Sequence, residues 1–333
     1  MTHFGDFEPL CHQVPSYPWC NLFYRQQLEH HNSSVLTGVS ADPASAPVGV
    51  NPVCGIPLVG HDSSLANIAN IIACALSIII VALLIVWTSR RRAAVGRAEF
   101  RQFLVLYFLT LPFQLISTGA FLQQGSTALT VITAIHAGLV AATFWALLGN
   151  AIIATQVVED GTPSAIIPFD FFALAFFVAT TYIALDVAFT FTHTFGPSDP
   201  PQNLHSIPLF VFTSIWPGAS VLSLPRLPVS VLTLLAPPRS SAALLYLLVM
   251  AYVVLGILNE IRPMWYFLLA AILFVLSQLD YFLLNKVICN HASHKIDGSF
   301  VATVLETAAV TVLYFAWRSI TEDSWEDDMY YPR

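Results

Sequence analysis

Residues 65–87 form a 23-residue run without a charge, interrupted only by small and amide side chains, and Thr88-Ser89-Arg90-Arg91-Arg92 follows at once. As a helix rising about 1.5 Å per residue, that run reaches roughly 35 Å, enough to cross a hydrocarbon layer near 30 Å with some tilt. With Arg97 and Arg101, the cluster holds five of the chain's 13 basic residues. Basic residues beside a first span stay cytoplasmic. Everything ahead of Leu65 is therefore expected on the translocated side, and each later loop takes its side from the span count.

The rest of the composition agrees. Of 333 residues, 56% are hydrophobic and 10% charged, where a soluble domain carries about a quarter charged. The mean hydropathy is +0.70. This is the composition of an all-α polytopic membrane protein. The net charge of -7 gathers at the ends of spans, and no basic face for nucleic acid exists. Residues 1–63 lack the apolar core of a cleavable signal, so the first span is expected to act as its own signal.

Residues 1–63 are polar, proline-rich and dotted with glycine, and carry Cys11, Cys20 and Cys54. They read as an irregular lumenal tail held by cross-links, not as an independent packed domain. Asn32-Ser33-Ser34 is an acceptor sequon, usable only on a translocated tail. A seven-helix transmembrane domain is predicted over 64–318, with spans near 65–87, 100–122, 128–156, 167–191, 207–259, 263–285 and 300–317. The fifth is interrupted at 221–241, where Pro225, Pro228, Pro237 and Pro238 cannot continue a helix. Residues 319–333 form an acidic cytoplasmic tail.

Counting 207–259 as two spans would give eight, and the cysteines argue against that. With seven, loop 286–298 and its Cys289 share the oxidising side with Cys11, Cys20 and Cys54, an even set with three possible connectivities. Proximity favours Cys11 with Cys20, leaving Cys54 and Cys289, with the connectivity itself open. Cys74 lies within the first span as a small apolar filler.

Ionisable groups inside spans cost about 2.5–3.5 kcal/mol on insertion scales and default to functional candidates. His136, Asp186, Asp280 and Glu306 all fall in the outer halves of their helices, with Gln114, Asn150 and Gln278 as neutral company. One reading is a polar cavity open to the lumen. The plainer reading is interhelical hydrogen bonding, worth about 0.6 kcal/mol each on average, with Asp280 paired to Lys286. Cys289, His291 and His294 do not have zinc-site spacing, so no metal or cofactor is expected. No GxSxG, phosphate-cradling loop or Cys–His nucleophile pair points to catalysis. Glu326-Asp327-Asp328 fits the acidic-x-acidic pattern read by vesicle-coat machinery, a pattern that a solvated charge run also produces.

Several fragments together resemble the fungal chitin synthase export chaperones. They are Phe4-Gly5-Asp6-Phe7, Leu10-Cys11, Pro15, Pro18 and Cys20 at the start, and Gly96-Arg97 with Glu99 after the first span. Glu159-Asp160-Gly161-Thr162 is similar to the family's second cytoplasmic loop. Ile288-Cys289-Asn290, His294, Asp297-Gly298, Ala302-Thr303, Trp317 and Ser319-Ile320-Thr321-Glu322-Asp323 resemble its closing segment. The resemblance implies a non-enzymatic, seven-span protein of the endoplasmic reticulum membrane that helps a chitin synthase fold and leave for the cell surface, where it makes wall chitin. It also implies a continuous fifth span, which makes 221–241 an insertion here, of the kind an unspliced intron leaves in a gene model.

Such a chaperone would cover polar or poorly packed faces of client helices. His136, Asp186, Asp280 and Glu306, with the small-residue face Ala137, Gly138, Ala141 and Ala142, are the expected contacts. The alternative is a seven-helix receptor or transporter with a lumen-facing cavity, although no inverted repeat or paired broken helices are visible. An intramembrane metal hydrolase lacks its ligand set.

Overall fold

The computed structural model describes residues 5–14, 16–29, 45–46, 56–59, 65–91, 94–192, 194–195, 204–215, 240–292 and 296–321. Asn32, Cys54, His294 and the acidic Glu326, Asp327 and Asp328 lie outside these residues, as do residues 216–239.

Lipid offers no water to an open backbone, so a chain this apolar satisfies its amides within helices. In order, these are α1 (Glu8–Gln13), α2 (Cys20–Glu29), α3 (Ile68–Arg90), α4 (Arg97–Thr118), α5 (Thr127–Ala154) and α6 (Pro163–Phe189). Then come α7 (Ile207–Phe210), α8 (Ser240–Ala251), α9 (Arg262–Leu279), α10 (Asn285–His291) and α11 (Gly298–Ser319). Wider π-helical turns extend α7 over Val211–Ile215 and α8 over Tyr252–Ile257, and Asp280–Leu284 joins α9 to α10. Two-residue strands β1 (Ser45–Ala46) and β2 (Ile56–Pro57) pair antiparallel.

Among the described residues six helices, α3, α4, α5, α6, α9 and α11, are long and apolar enough to cross a membrane, against the seven predicted. In the fifth position the described residues hold α7 with its π-helical extension and a shorter apolar helix over Ala242–Ile257, with 216–239 between them. The short connections α3–α4, α4–α5 and α5–α6 make antiparallel neighbours. Along α3, Ile72, Leu76, Ile79, Leu83 and Val86 remain exposed, an apolar face that only lipid or another protein can cover.

The amino-terminal stretch departs from the sequence reading. Residues 5–29 do not form an irregular tail. The amide of Phe7 donates to Leu204 O at 2.7 Å and that of Ser206 to Gly5 O at 3.0 Å, tying the start of the chain to the segment before α7. A Cys11–Cys20 disulfide closes the α1–α2 turn. Phe7, Tyr17, Trp19 and Phe23 are at most 1% exposed and pack with Ala134 and Ala137 of α5 and Ile183 of α6. Arg25 donates to Gly125 O at 3.0 Å and lies 5.4 Å over the Phe189 ring. The signal was in the sequence: Phe7, Leu10, Cys11 and Val14 have helical apolar spacing, which the surrounding prolines and polar residues obscured.

Two further departures follow from packing. Cys289 and His291, placed in a loop by the sequence reading, lie on α10, because the π-helical turn carries the helix past the expected end at 285. The small-residue face of α5 is not free for a partner. Ala137, Ala141 and Ala142 are at most 3% exposed, and a Cβ on Gly138 would come 2.7 Å from Phe177 O of α6. Small residues here let two helices of one chain approach closely.

Trp19 anchors the amino-terminal cover, so Trp19→Ala should destabilise the purified protein by about 3–5 kcal/mol, read as a lower midpoint of thermal unfolding in detergent. An unchanged midpoint would mean that the cover contributes nothing to the bundle.

Candidate functional site

Polar side chains within the bundle form a ladder joining α3, α4 and α11. Gln114 donates to Thr303 Oγ1 at 2.8 Å, Thr303 to Asn70 Oδ1 at 3.0 Å, and Asn70 to Thr118 Oγ1 at 3.0 Å. One turn further along, Thr307 donates to Ser77 at 2.8 Å and lies 3.1 Å from the Tyr107 hydroxyl. Thr303 and Thr307 are one helical turn apart on α11, so a single face meets both partners.

Beside this ladder a cavity of about 150 Å³ is lined mainly by aromatic and aliphatic side chains, with Gln114, His136, Thr303 and Glu306 among its polar groups. Half-buried Glu306 accepts from Gln278 Nε2 at 3.0 Å. The ring of His136, only 4% exposed, lies 5.2 Å from that of Trp19, so the amino-terminal cover reaches the cavity wall. A site with a carboxylate, an imidazole and amide groups in apolar walls can hold a polar or cationic group that would otherwise be stranded in hydrocarbon.

Of the four ionisable residues expected to act together, the cavity brings in two, His136 and Glu306. Asp186 is fully buried elsewhere. Its carboxylate accepts from the Thr192 amide at 2.6 Å and the Thr192 hydroxyl at 3.0 Å, which closes the end of α6 after Thr190 adopts left-handed φ. Asp280 begins the π-helical turn and sits near Asp297. The Lys286 side chain is outside the described residues. Asn150 lines a second cavity, of about 420 Å³, at the arginine-bearing end between α5, α8 and α11.

At that same end two loops hold one another. The Gly96 amide donates to Asp160 at 2.7 Å, and the Gly161 amide donates to Glu99 at 2.8 Å. Both glycines have positive φ, +65° and +68°, which turns their amides toward the carboxylates at little cost. Nearby, Trp317 stacks on Phe100 at 5.1 Å and donates to Val95 O, while Arg91 donates to Arg318 O and Thr321 O. Reading the sequence marked both loops but missed their reciprocity, since nothing in either predicts the other as partner. Cys289 is fully buried and disulfide-bonded.

A family model for chitin synthase export chaperones matches residues 3–236 and 227–330. Named chitin synthase export chaperones from Chaetomium globosum and Gibberella zeae are 27% and 26% identical over 97% and 98% of this chain and 84% of each relative. One from Neurospora crassa is 24% identical over 98% of this chain and 79% of its own. No solved structure matches the chain.

Glu99 is fully buried and holds the loop at Gly161. Glu99→Ala, which leaves that amide unpaired, should destabilise by about 1–3 kcal/mol and speed proteolysis in 157–161. Wild-type protease resistance and stability would remove the clamp as a structural element.

Proposed function

The chain belongs to the chitin synthase export chaperone family, and on that premise we propose that it acts in the endoplasmic reticulum membrane, holding a chitin synthase as it folds and leaves for the cell surface. The observation that carries the mechanism is the cavity placing His136 and Glu306 among apolar walls. A polytopic client exposes polar groups before its own helices pack. Each such group costs several kcal/mol in hydrocarbon, so a bundle that offers it a carboxylate and an imidazole delays aggregation. Glu306 and His136 are the client-contacting groups on this reading. The exposed apolar face of α3 offers a lateral surface for a client helix.

The sidedness follows from charge and redox chemistry. Arg90, Arg91 and Arg97 flank the α3–α4 turn at one end, and the Cys11–Cys20 disulfide lies at the other. Positive charge favours the cytoplasm and disulfides favour the lumen, so residues 1–63 face the lumen and 319–333 the cytoplasm. Asn32 is then open to glycosylation, and Glu326, Asp327 and Asp328 are open to vesicle-coat proteins. Seven spans require α7, with its extension, and α8 to be two parts of one crossing. The family match supports this by dividing at 227–236, inside the interrupted region. Five cysteines, one joined pair and the free thiol of Cys74 leave Cys54 for Cys289.

Deleting the gene should leave at least one tagged chitin synthase in the reticulum by fluorescence imaging, and wild-type chain should restore its export. Glu306→Leu should fail to restore it while remaining monodisperse after purification. Normal export with Glu306→Leu would remove Glu306 from the client site, and normal export after deletion would remove the chaperone reading. For sidedness, the Asn32 glycan should be endoglycosidase-sensitive, and non-reducing digests should yield a Cys54–Cys289 peptide. Protease access to 1–63 from the cytosolic side would reverse the topology.

A further inference from the structure

The second cavity, about 420 Å³ at the arginine-bearing end, is larger than the first and has no part in holding a client. Ile153 of α5, Met250 and Val253 of α8 and its extension, Phe267 of α9 and Trp317 of α11 give it apolar walls. Its polar groups gather at the end of α5 and beyond α11, as Asn150, Thr155, Gln156 and Thr321. A space of this size, apolar along its length with a few polar groups at one end, suits an amphiphile.

Its length and depth match one leaflet of a bilayer. From Tyr246 to Ile257, both in the lining, α8 with its extension covers roughly 16 Å at about 1.5 Å per residue, close to half of a 30 Å hydrocarbon core. Ile257 and Leu258 are 53% and 44% exposed, so this part of the wall is also outer surface of the bundle. The 28 residues of α5 reach about 42 Å, the thickness of core and headgroup layers together. Asn150 lies one turn before the end of α5 at Ala154, about 6 Å inside that face, where acyl chains join their headgroups. It is 9% exposed, and its Nδ2 is buried without an acceptor. At that depth the acceptors a membrane supplies are the ester carbonyls of its lipids.

The rim is cationic. Arg91 donates to Thr321 Oγ1 at 3.3 Å and to Arg318 O at 3.3 Å, which places its guanidinium beside the lining. Burial and the neighbouring Arg318 hold that guanidinium below its ordinary range, and two cations this close favour an anion beside them. The carboxylates of Asp160 and Glu99, on the loops at this end, are turned to the amides of Gly96 and Gly161. Basic pockets between spans take anionic lipid headgroups.

We propose that this cavity seats one anionic glycerophospholipid, with an acyl chain along α8 toward Tyr246, an ester carbonyl on Asn150 and the phosphate headgroup at Arg91 and Arg318. The chain fills the space between α5 and the π-helical end of α8. Its tip reaches Tyr246 and Phe267, which also line the first cavity, so the lipid supports the wall behind the client site. Failure of this site leaves the client reading intact, since neither His136 nor Glu306 lines it.

Delipidated full-length protein in detergent, titrated with dioleoylphosphatidylserine or dioleoylphosphatidylcholine and read by native mass spectrometry, tests it. One phospholipid should bind per chain, the serine lipid more tightly. Arg318→Gln should weaken the serine lipid about fivefold and leave the choline lipid unchanged, while Arg318→Lys keeps the preference. Asn150→Leu should weaken both lipids about fivefold through the lost hydrogen bond. Should that variant fail to fold, Ala154→Trp narrows the polar end and should exclude both. The proposal is overturned if neither lipid binds saturably, or if Asn150→Leu and Ala154→Trp bind as wild type. It is also overturned if lipid binds only after residues 322–333 are removed, because the tail would then be the occupant.

Discussion

In hydrocarbon one apolar helix gains little by touching another, because lipid tails are as greasy as leucine. The relative placement of α3, α4 and α11 therefore depends on the groups that cannot be left to lipid. Asn70, Thr118, Gln114 and Thr303 form one rung, and Ser77, Thr307 and Tyr107 the next. At about 0.6 kcal/mol for an average interhelical bond, no single contact decides the packing. What decides it is register: sliding α11 by one residue would take Thr303 and Thr307 away from every partner at once. The ladder holds α11 in the register that brings Glu306, beside Thr303, to the cavity wall.

The second structural element is the cover formed by residues 5–29. Four aromatic side chains buried to at least 99% give it an apolar contact of its own, independent of lipid. It meets α5 and α6 through Phe7, Trp19 and Phe23, and meets the α9–α10 turn through Tyr281 and Ser16. The cover thus touches the wall of the cavity at His136 through Trp19, and the buried Asp297 through Ser16. A displacement of the cover would alter both together.

Much of this was legible from residues alone. The uncharged run with its arginine end identified α3, and the spans on either side of the interrupted region fell close to the helices observed. Glu306 and His136 were visible as charges in apolar surroundings, which is a local property. What was not legible depended on contacts between distant segments. Asp186 looked the same as Glu306 in sequence, but a threonine six residues later takes both its oxygens. Ala137, Gly138, Ala141 and Ala142 read as an open face, yet whether small residues meet a partner or their own α6 depends on the fold. The cover was missed because prolines around short helices resemble disorder in composition: the Cys11–Cys20 pair was legible, but the burial of Phe7, Tyr17, Trp19 and Phe23 against α5 and α6 depends on distant segments.

The two ends of the bundle handle charge in opposite ways. At the arginine-bearing end, Asp160 and Glu99 each receive a backbone amide from the other's loop, so the carboxylates are held by donors the chain itself provides. At the far end, fully buried Asp297 receives donors from Ser16, Ser299 and Asn67, while Asp280 lies close enough to repel it. Donors favour the ionised form of a carboxyl, whereas burial and a neighbouring like charge disfavour it. The same side-chain type therefore fastens loops at one end and leaves an electrostatic repulsion at the other. That repulsion lies where the cover is seated, beside the Tyr281–Ser16 hydrogen bond, and so bears on how firmly the cover closes over His136 and the cavity.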